Sequence, residues 1–265
     1  MTSTTSRSGP RADGGGLRLA RGAVAFLFWL VVWQLASMAI GQELLLVSPV
    51  AVVRTLATLV VTRAFWASVG YSFVRIIGGF LLAVVVGILL AALSGASGAA
   101  RTLLAPLMLV LKSVPVVSFI ILVLIWADSS TLSLVISFLI VVPVIHTNVL
   151  EGIDRTDPKL LELARVFRIP LWRRFRAIDI PAIIPHFTSG ARIGLGLCWK
   201  SGIAAEVIGL SEGSIGERLY QAKIFLSTAE LFAWTIVIVL VSFLFERFFL
   251  TLLRRFELRL SRWGA

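Results

Sequence analysis

Residues 151–185 read EGIDRTDPKLLELARVFRIPLWRRFRAIDIPAIIP, a charged segment between two apolar runs that are too long for a soluble protein. Asp157-Pro158 predicts a helix start, because Asp accepts hydrogen bonds from free N–H groups of the first turn and Pro fits the first helical position. One apolar stripe follows, at Leu160, Leu163, Ala164 and Phe167. Ile169-Pro170 ends this helix, and a second short helix follows. The segment therefore predicts a helical hairpin (151–181) in water, with both flanks in lipid.

The apolar runs around the hairpin indicate a membrane protein. Of the 265 residues, 58% are hydrophobic and 15% charged, which is too apolar for a soluble domain of this size. A helix needs about 20 mostly apolar residues to cross a bilayer. Six candidate spans meet this need, at 22–40, 70–94, 103–126, 131–149, 183–208 and 229–250. Pro106 and Pro115 predict a kink or break in the third. The predicted fold is all-α, a polytopic membrane protein with six transmembrane helices.

The first 21 residues differ in composition from the rest of the chain. They are rich in Ser, Thr, Gly and Arg, which predicts a disordered cytoplasmic tail over 1–21 and a membrane domain over 22–265. A signal peptide is the competing interpretation of 1–40. The apolar run after Gly22 is too long for a signal core, and no small-residue cleavage site follows Ile40. An uncleaved first span is therefore favoured.

The formal charge of +11 is distributed unevenly among the predicted loops. If the N-terminus is inside, the inner segments hold sixteen of the 25 Lys and Arg residues; these segments are 1–21, 95–102, 150–182 and 251–265. The outer segments hold four, namely Arg54, Arg63, Arg218 and Lys223. Because Lys and Arg collect in cytoplasmic loops, both termini are predicted to be cytoplasmic. Topology explains the charge, and nucleic-acid binding is not expected.

Two of the outer segments have helical patterns. Ser48-Pro49 predicts the start of a short amphipathic helix that lies in the outer membrane interface within 48–68. The segment 209–228 is polar and rich in Gly, which predicts an external loop with a short helix. This second surface either receives a soluble partner or serves as a plain connector, and the sequence favours neither.

The residues needed for catalysis or metal binding are scarce. Cys198 is the only cysteine, so a disulfide within the chain is impossible, and His146 and His186 have no Cys or carboxylate cluster beside them. No metal site is predicted. The string 194–201 superficially resembles a phosphate-binding loop, but Trp199 stands where that loop needs glycine and would block the backbone's approach to phosphate. No nucleotide site is therefore predicted in this chain.

The fifth predicted span is the most polar of the six. Arg192, Lys200 and Glu206 fall within a wedge of about 120° on a helical projection. Charges on one face of a span usually face a bundle interior or an aqueous cavity, so all three are candidate translocation-pathway residues, with Lys200 first. Lys112, at the break in the third span, is a fourth candidate. Each has a structural alternative: snorkelling for Arg192, and local or headgroup pairing for the others.

The hairpin resembles the cytoplasmic motif of permeases of bacterial ATP-binding cassette (ABC) importers. That motif reads E-A-A, three residues, Gly, nine residues and I-x-L-P. Here Glu162-Leu163-Ala164 is followed in register by Arg168 and by Ile178-Asp179-Ile180-Pro181. Leu163 and Ile180 are mild replacements, but Arg168 stands where the family has the glycine that lets the chain turn. Pro170 is expected to supply the break instead, which leaves Arg168 free to face solvent or a partner.

The resemblance extends over roughly residues 45–255. It is carried by Ser72, Arg75 and Gly79, by Pro106 and Pro115, and by Trp199-Lys200-Ser201-Gly202 leading to Ala204-Ala205-Glu206. These features look like the nitrate, sulfonate and taurine branch of the permeases. The implied fold is that of type I importers, with a transmembrane core over about 62–250. The branch also handles other small molecules, so the resemblance leaves the substrate open.

The resemblance implies a mechanism and a set of partners. Two permease copies, a homodimer, would each offer the hairpin to a cytoplasmic ATPase subunit that holds ATP and Mg, with no cofactor in this chain. An extracytoplasmic binding protein would deliver a small solute, and ATP-driven closure of the ATPase would switch access across the bacterial inner membrane. The implied coupling residues are Leu160, Glu162, Leu163, Ala164, Phe167, Arg168, Ile178 and Pro181.

Two other classes of function compete with that of an importer permease. An ion-driven secondary transporter is the main alternative, but such carriers are commonly built from internal repeats, and none is evident in the sequence. An intramembrane enzyme needs a nucleophile and base, or carboxylates with a metal, within the spans. No such set is evident, so the prediction is a permease without catalytic activity of its own.

Overall fold

The computed structural model describes residues 15–261, and every regular element in that part of the chain is helical. The elements are α1 (Gly15–Ile40), α2 (Pro49–Val60), α3 (Arg63–Ala96), α4 (Gly98–Ser113), α5 (Val116–Leu124), α6 (Ser129–Asp154), α7 (Pro158–Val166), α8 (Leu171–Arg174), a π-helical turn (Phe175–Asp179), α9 (Ile180–Gly209), α10 (Ile215–Ile224) and α11 (Thr228–Ser261). The predicted disordered tail lies partly outside the described residues. Helix α1 already begins at Gly15, so residues 15–21 are helical rather than disordered.

Several helices begin at the residues that the sequence indicates. The Asp157 side chain accepts a hydrogen bond from the Lys159 N–H at 2.9 Å, directly before Pro158 at the start of α7. Ser48 caps α2 in the same way, ahead of Pro49. A side-chain acceptor at this position replaces a partner that the first turn of a helix lacks. The predicted start of the hairpin and the short helix after Ser48-Pro49 are both confirmed.

Four of the described helices are long and apolar enough to cross a membrane, and the count is five if α4 and α5 form one broken span. Those two helices meet at 100° beside Pro115, within the predicted third span. Proline has no N–H to donate and disfavours a helical conformation in the residue before it. The remaining predicted span is α9, which at 30 residues is about 45 Å long and therefore sufficient to cross.

Close helix contacts show the direction of each element. Gly79, Gly87 and Gly95 of α3 lie in turn against Leu134, Ile145 and Ile153 of α6, so these two helices run parallel. A Cβ on Gly87 would lie 2.8 Å from the Ile145 Cβ, which shows how tightly the two helices pack. The α4–α5 pair therefore joins the end of α3 to the opposite end of the bundle, where α6 begins. Despite its bend, the pair makes one crossing.

The other helices complete an alternating pattern. Helix α9 runs antiparallel to α6, since Gly190 lies against Asn148 and Gly209 against Leu132. Helix α11 runs parallel to α3, with Trp234 stacked on Phe65 at 5.1 Å and Phe249 against Phe80 at 5.2 Å. The C-terminal half of α1 contacts the start of α11. The bundle therefore has a "hairpin end", which carries residues 151–181, and an "opposite end", and successive helices run between the two.

The core lies where α3, α6 and α9 meet. Ile76, Phe80, Ile145 and Leu195 are almost completely buried there, together with Trp234 of α11. Of the candidate spans, α6 is the most buried, whereas α1 and α11 lie on the outside with most of their apolar side chains exposed. Exposed apolar helix faces are expected where the surroundings are lipid rather than water.

Candidate functional site

The hairpin presents apolar side chains to solvent. Ala164 is the buried member of the predicted stripe, at 3% exposure. Leu160 and Leu163 are about half exposed and Phe167 is 72% exposed. Exposed residues of the same character adjoin them: Val166, Leu171 and Trp172. Water solvates apolar surface poorly, so a patch of this size marks a surface for another molecule.

Arg168 occupies an unusual backbone conformation, with φ of +48°. Its N–H donates to the Arg165 carbonyl at 3.1 Å, and the Ile169 N–H donates to the Ala164 carbonyl at 2.8 Å. These two bonds form the Schellman arrangement, in which a left-handed residue, usually glycine, ends a helix. The expectation that Pro170 replaces the family's glycine is therefore wrong. Arg168 makes the turn itself, at a cost in backbone strain that glycine would avoid.

The second half of the hairpin joins α9 through the π-helical turn. Arg174 and Asp179 form an ion pair across that turn, at 3.2 Å between Nε and Oδ2. Ile178 lies within the turn, and Pro181 follows it in the first residues of α9. Glu162 is exposed on α7. The predicted coupling residues thus lie on α7 and in the turn that ends it, in the π-helical turn and at the start of α9.

The hairpin is also fastened to the bundle by charge. Arg101, at the start of α4, makes two contacts with the Asp154 carboxylate at the end of α6, at 2.5 and 2.7 Å. One guanidinium nitrogen, Nη2, donates to both carboxylate oxygens, and hydrogen bonds between charged groups are short and strong. The point where the chain leaves α6 for the hairpin is therefore held against α4.

Helix α9 carries a polar stripe on its exposed side. Ser189, Arg192, Gly196 and Lys200 are exposed and spaced at three or four residues, whereas Cys198 and Trp199 between them face the core. Arg192 lies 4.0 Å from Glu246 of α11, measured between Nε and Oε1. Two of the four predicted pathway residues therefore share one exposed face on a helix that is otherwise buried.

Glu206 does not share that face. It is fully buried near the opposite end, where one carboxylate oxygen accepts from Ser72 at 2.7 Å and from the Gly216 N–H at 3.2 Å. The Ser72 hydroxyl in turn accepts from the Ile215 N–H at 2.9 Å. This network ties α9 to α3 and to the start of α10. The helical projection predicted that Lys200 and Glu206 share one face of the helix. In the structure they do not, because Lys200 is exposed and Glu206 is buried.

The structure also explains residues whose roles the sequence did not reveal. Besides Ser72, Arg75 donates to the Ser130 carbonyl and lies over the Tyr71 ring at 3.6 Å from its centroid. Gly79 packs directly against α6. The three α3 residues that carried the resemblance thus hold α3 against the neighbouring helices. The sequence did contain a signal for these roles. Polar residues at intervals on an apolar span need partners away from water, so they indicate contacts with other helices.

Lys112 makes a local contact. Its Nζ donates to the Thr147 hydroxyl of α6 at 2.6 Å, just before the α4–α5 bend, and the residue remains exposed. The structure places it on α4, where its charged end meets α6. Among residues 15–261, no group of three or more His, Cys, Asp or Glu side chains is arranged to hold a metal ion.

Known proteins are similar in sequence to this chain over most of its length. The family described as "Binding-protein-dependent transport system inner membrane component" matches residues 83–262. The putative aliphatic sulfonates transport permease SsuC of Bacillus subtilis is 28% identical over 237 residues, covering 88% of this chain and 84% of the relative. The taurine transport permease TauC of Escherichia coli is 27% identical, covering 92% and 89%. The nitrate import permease NrtB of Synechocystis is 28% identical, covering 94% and 95%.

Solved structures agree on the fold. A crystal structure of an amino acid ABC transporter with histidines has a TM-score of 0.52 and 22% identity, over 72% of this chain and 94% of that one. The family match covers more than half of the chain and includes the hairpin, the fifth span and the last helix. The family match decides against the alternative prediction, an ion-driven secondary transporter. The chain belongs to the binding-protein-dependent inner membrane components: it is a multi-pass, non-catalytic permease subunit of an ABC importer, whose ATP is handled by a partner ATPase.

Proposed function

We propose that this permease imports a small solute of the nitrate, sulfonate or taurine class, each of which carries an anionic group. The observation that carries the proposal is the exposed stripe of α9 with Arg192 and Lys200. A lysine at the centre of a helix costs roughly 2.5–3.5 kcal/mol in an insertion assay, so such a residue is expected to face water rather than lipid. Fixed positive charge beside water attracts anions. Relatives named for sulfonate, taurine and nitrate transport support the same class.

A second copy of the chain would complete the pathway. In one protomer the α9 stripe lies on the surface, with no element of residues 15–261 covering it. Two protomers that face each other across their α9 helices would enclose the stripe in a water-filled space. We propose a homodimer on this ground. Lys200 and Arg192 would line the pathway and Lys112 would lie beside it, whereas Glu206 would hold the opposite end closed around α10.

The hairpin would couple the pathway to ATP hydrolysis. Leu160, Leu163 and Phe167 would enter a groove on the ATPase subunit, in the way that an amphipathic helix places its apolar face in a hydrophobic groove. Glu162 and Arg168 would border that contact. Ile178 and Pro181 would carry its movement into α9. Because the π-helical turn continues directly into α9, a displacement of the docked hairpin would be carried into the bundle.

The distribution of charge supports an orientation. The predicted inner segments, which include the hairpin, hold sixteen Lys and Arg residues, against four in the predicted outer segments. We propose that the hairpin end and both termini are cytoplasmic, in line with the positive-inside rule. The ATPase would then bind from the cytoplasm. The binding protein would approach the opposite end, where α10 and its flanking loops are exposed.

The proposal is tested with the assembled importer, containing permease, ATPase and binding protein, in proteoliposomes. Lys200→Ala is expected to reduce ATP-dependent uptake of labelled nitrate, methanesulfonate or taurine by about tenfold, the equivalent of one lost charge contact of 1.4 kcal/mol. Arg54→Ala is the control, because Arg54 is exposed on α2, away from α9. Uptake that is unchanged by Lys200→Ala, in a complex that still retains its ATPase, would remove Lys200 from the pathway.

A further inference from the structure

A second charged feature lies between α9 and α11 near the hairpin end. It is a cleft of about 500 Å³. Its lining combines basic, hydroxyl and apolar side chains: Thr188, Arg192, Phe243, Glu246, Arg247, Leu250, Thr251 and Arg254. Three arginines against one glutamate leave the cleft with net positive charge. Arg192 also belongs to the exposed stripe of α9, but neither the pathway proposal nor the coupling proposal uses Arg247 or Arg254 of α11.

The positive charge of the cleft is only partly neutralised. Arg192 is 4.0 Å from Glu246, at the outer limit of an ion pair. Arg247 and Arg254 form no ion pair with any side chain whose position the structure describes, and both are exposed. The Thr188 hydroxyl is buried and has no hydrogen-bond partner within 15–261. The cleft thus has guanidinium donors and one hydroxyl available for an anion.

The depth of the cleft matches a lipid headgroup. Arg247 is 19 residues after Thr228, where α11 begins, and this corresponds to about 28 Å along a helix. The hydrocarbon core of a bilayer is about 30 Å thick. Arg247 therefore reaches the interface at the hairpin end, and Arg254 lies about 10 Å further along the axis. The phosphate layer of the membrane is expected at this level.

The apolar part of the cleft continues onto a lipid-facing surface. Phe243 and Leu250 line it, and the neighbouring exposed face of α11 carries Leu240, Leu244 and Phe248. Acyl chains would lie along these side chains while a phosphate meets the arginines. A free inorganic anion would contact the arginines but would leave the apolar side chains that line the cleft without a partner. Basic pockets between transmembrane helices bind anionic headgroups in this way.

We propose that the cleft binds the phosphate headgroup of an anionic phospholipid, phosphatidylglycerol or cardiolipin. Arg247 and Arg254 contact the phosphate, and Thr188 donates its unpartnered hydroxyl. The bound lipid bridges α9 and α11, so it stabilises the packing of the last helix against the helix with the exposed polar stripe. This role does not depend on which solute the permease carries.

The test is native mass spectrometry of the purified full-length permease, titrated with cardiolipin, phosphatidylglycerol or phosphatidylcholine. The variant is Arg247→Gln with Arg254→Gln, and the control is Arg255→Gln, which removes an adjacent exposed arginine that does not line the cleft. At about 1 kcal/mol for each arginine, the double variant should bind anionic lipid about 30-fold more weakly, whereas the control, outside the cleft, should lose less than about twofold. Helical circular dichroism of both variants checks that they fold.

Three outcomes would overturn the proposal. The first is equal retention of phosphatidylcholine and the anionic lipids by the unaltered chain. The second is a loss of about fivefold in Arg255→Gln, the same for each arginine removed as in the double variant, which would indicate general surface charge. The third is displacement of the lipid by inorganic phosphate at millimolar concentration, which would assign the cleft to a soluble anion. Retained lipid under phosphate, together with the selective loss in the double variant, supports the site.

Discussion

The sharpest prediction concerns Arg168, the arginine that turns the chain in the left-handed region at φ of +48°. We expect Arg168→Gly to stabilise the end of α7. A side chain costs about 1–2 kcal/mol in this conformation, and glycine avoids that cost. Glycine also gives the unfolded chain more freedom, which offsets about 0.4–1 kcal/mol. The Arg168 side chain makes no hydrogen bond or ion pair within 15–261 that would be lost.

The net gain in the stability of this turn is about 0.5–1 kcal/mol. The end of α7 should therefore open about two- to fivefold less often in Arg168→Gly. Hydrogen exchange measured by mass spectrometry on peptides over 158–170 reports it, because the Arg168 and Ile169 amides form the terminal bonds of the motif. These peptides should exchange two- to fivefold more slowly in Arg168→Gly than in the unaltered chain.

The matched control is the same substitution three residues earlier. Arg165 lies inside α7, where glycine destabilises a helix by about 1 kcal/mol. Arg165→Gly should therefore accelerate exchange in the peptides that Arg168→Gly slows. If both variants accelerate exchange, or if Arg168→Gly changes nothing, the left-handed arginine is not a strained position and the reasoning fails.

The remaining predictions concern the buried carboxylate and the exposed patch on the hairpin. Glu206→Ala removes the acceptor for Ser72 and should lower the free energy of unfolding by about 2–3 kcal/mol, measured by thermal unfolding in detergent. Glu212→Ala, exposed at the same end, should change it by less than about 0.5 kcal/mol; equal effects would deny Glu206 a special role. Phe167→Asp should abolish co-purification of the ATPase without preventing membrane insertion, whereas Phe225→Asp, equally exposed at the opposite end, should not. Normal co-purification with Phe167→Asp would contradict docking at the hairpin.

Local sequence determined much of the secondary structure. The Asp157-Pro158 start of α7 depends on neighbouring residues alone, since the cap bonds only two positions along the chain. The long apolar runs predicted the membrane helices, because hydrocarbon admits only a backbone that satisfies its own hydrogen bonds. Pro115 predicted the break between α4 and α5. The angle of 100° was not predicted, because it depends on how both helices pack against α6 and α9.

Tertiary structure decided which face of each helix packs against a neighbouring helix. A helical projection places Lys200 and Glu206 in the same wedge, yet Lys200 is exposed and Glu206 bonds to Ser72, 134 residues earlier. Arg168 likewise adopts a conformation that its residue type disfavours, because the Schellman bonds and the packing of Ala164 hold the turn in place. Periodicity identifies residues that share a face. Only contacts between distant segments determine whether that face packs, because burial energy depends on the partner as well as on the residue.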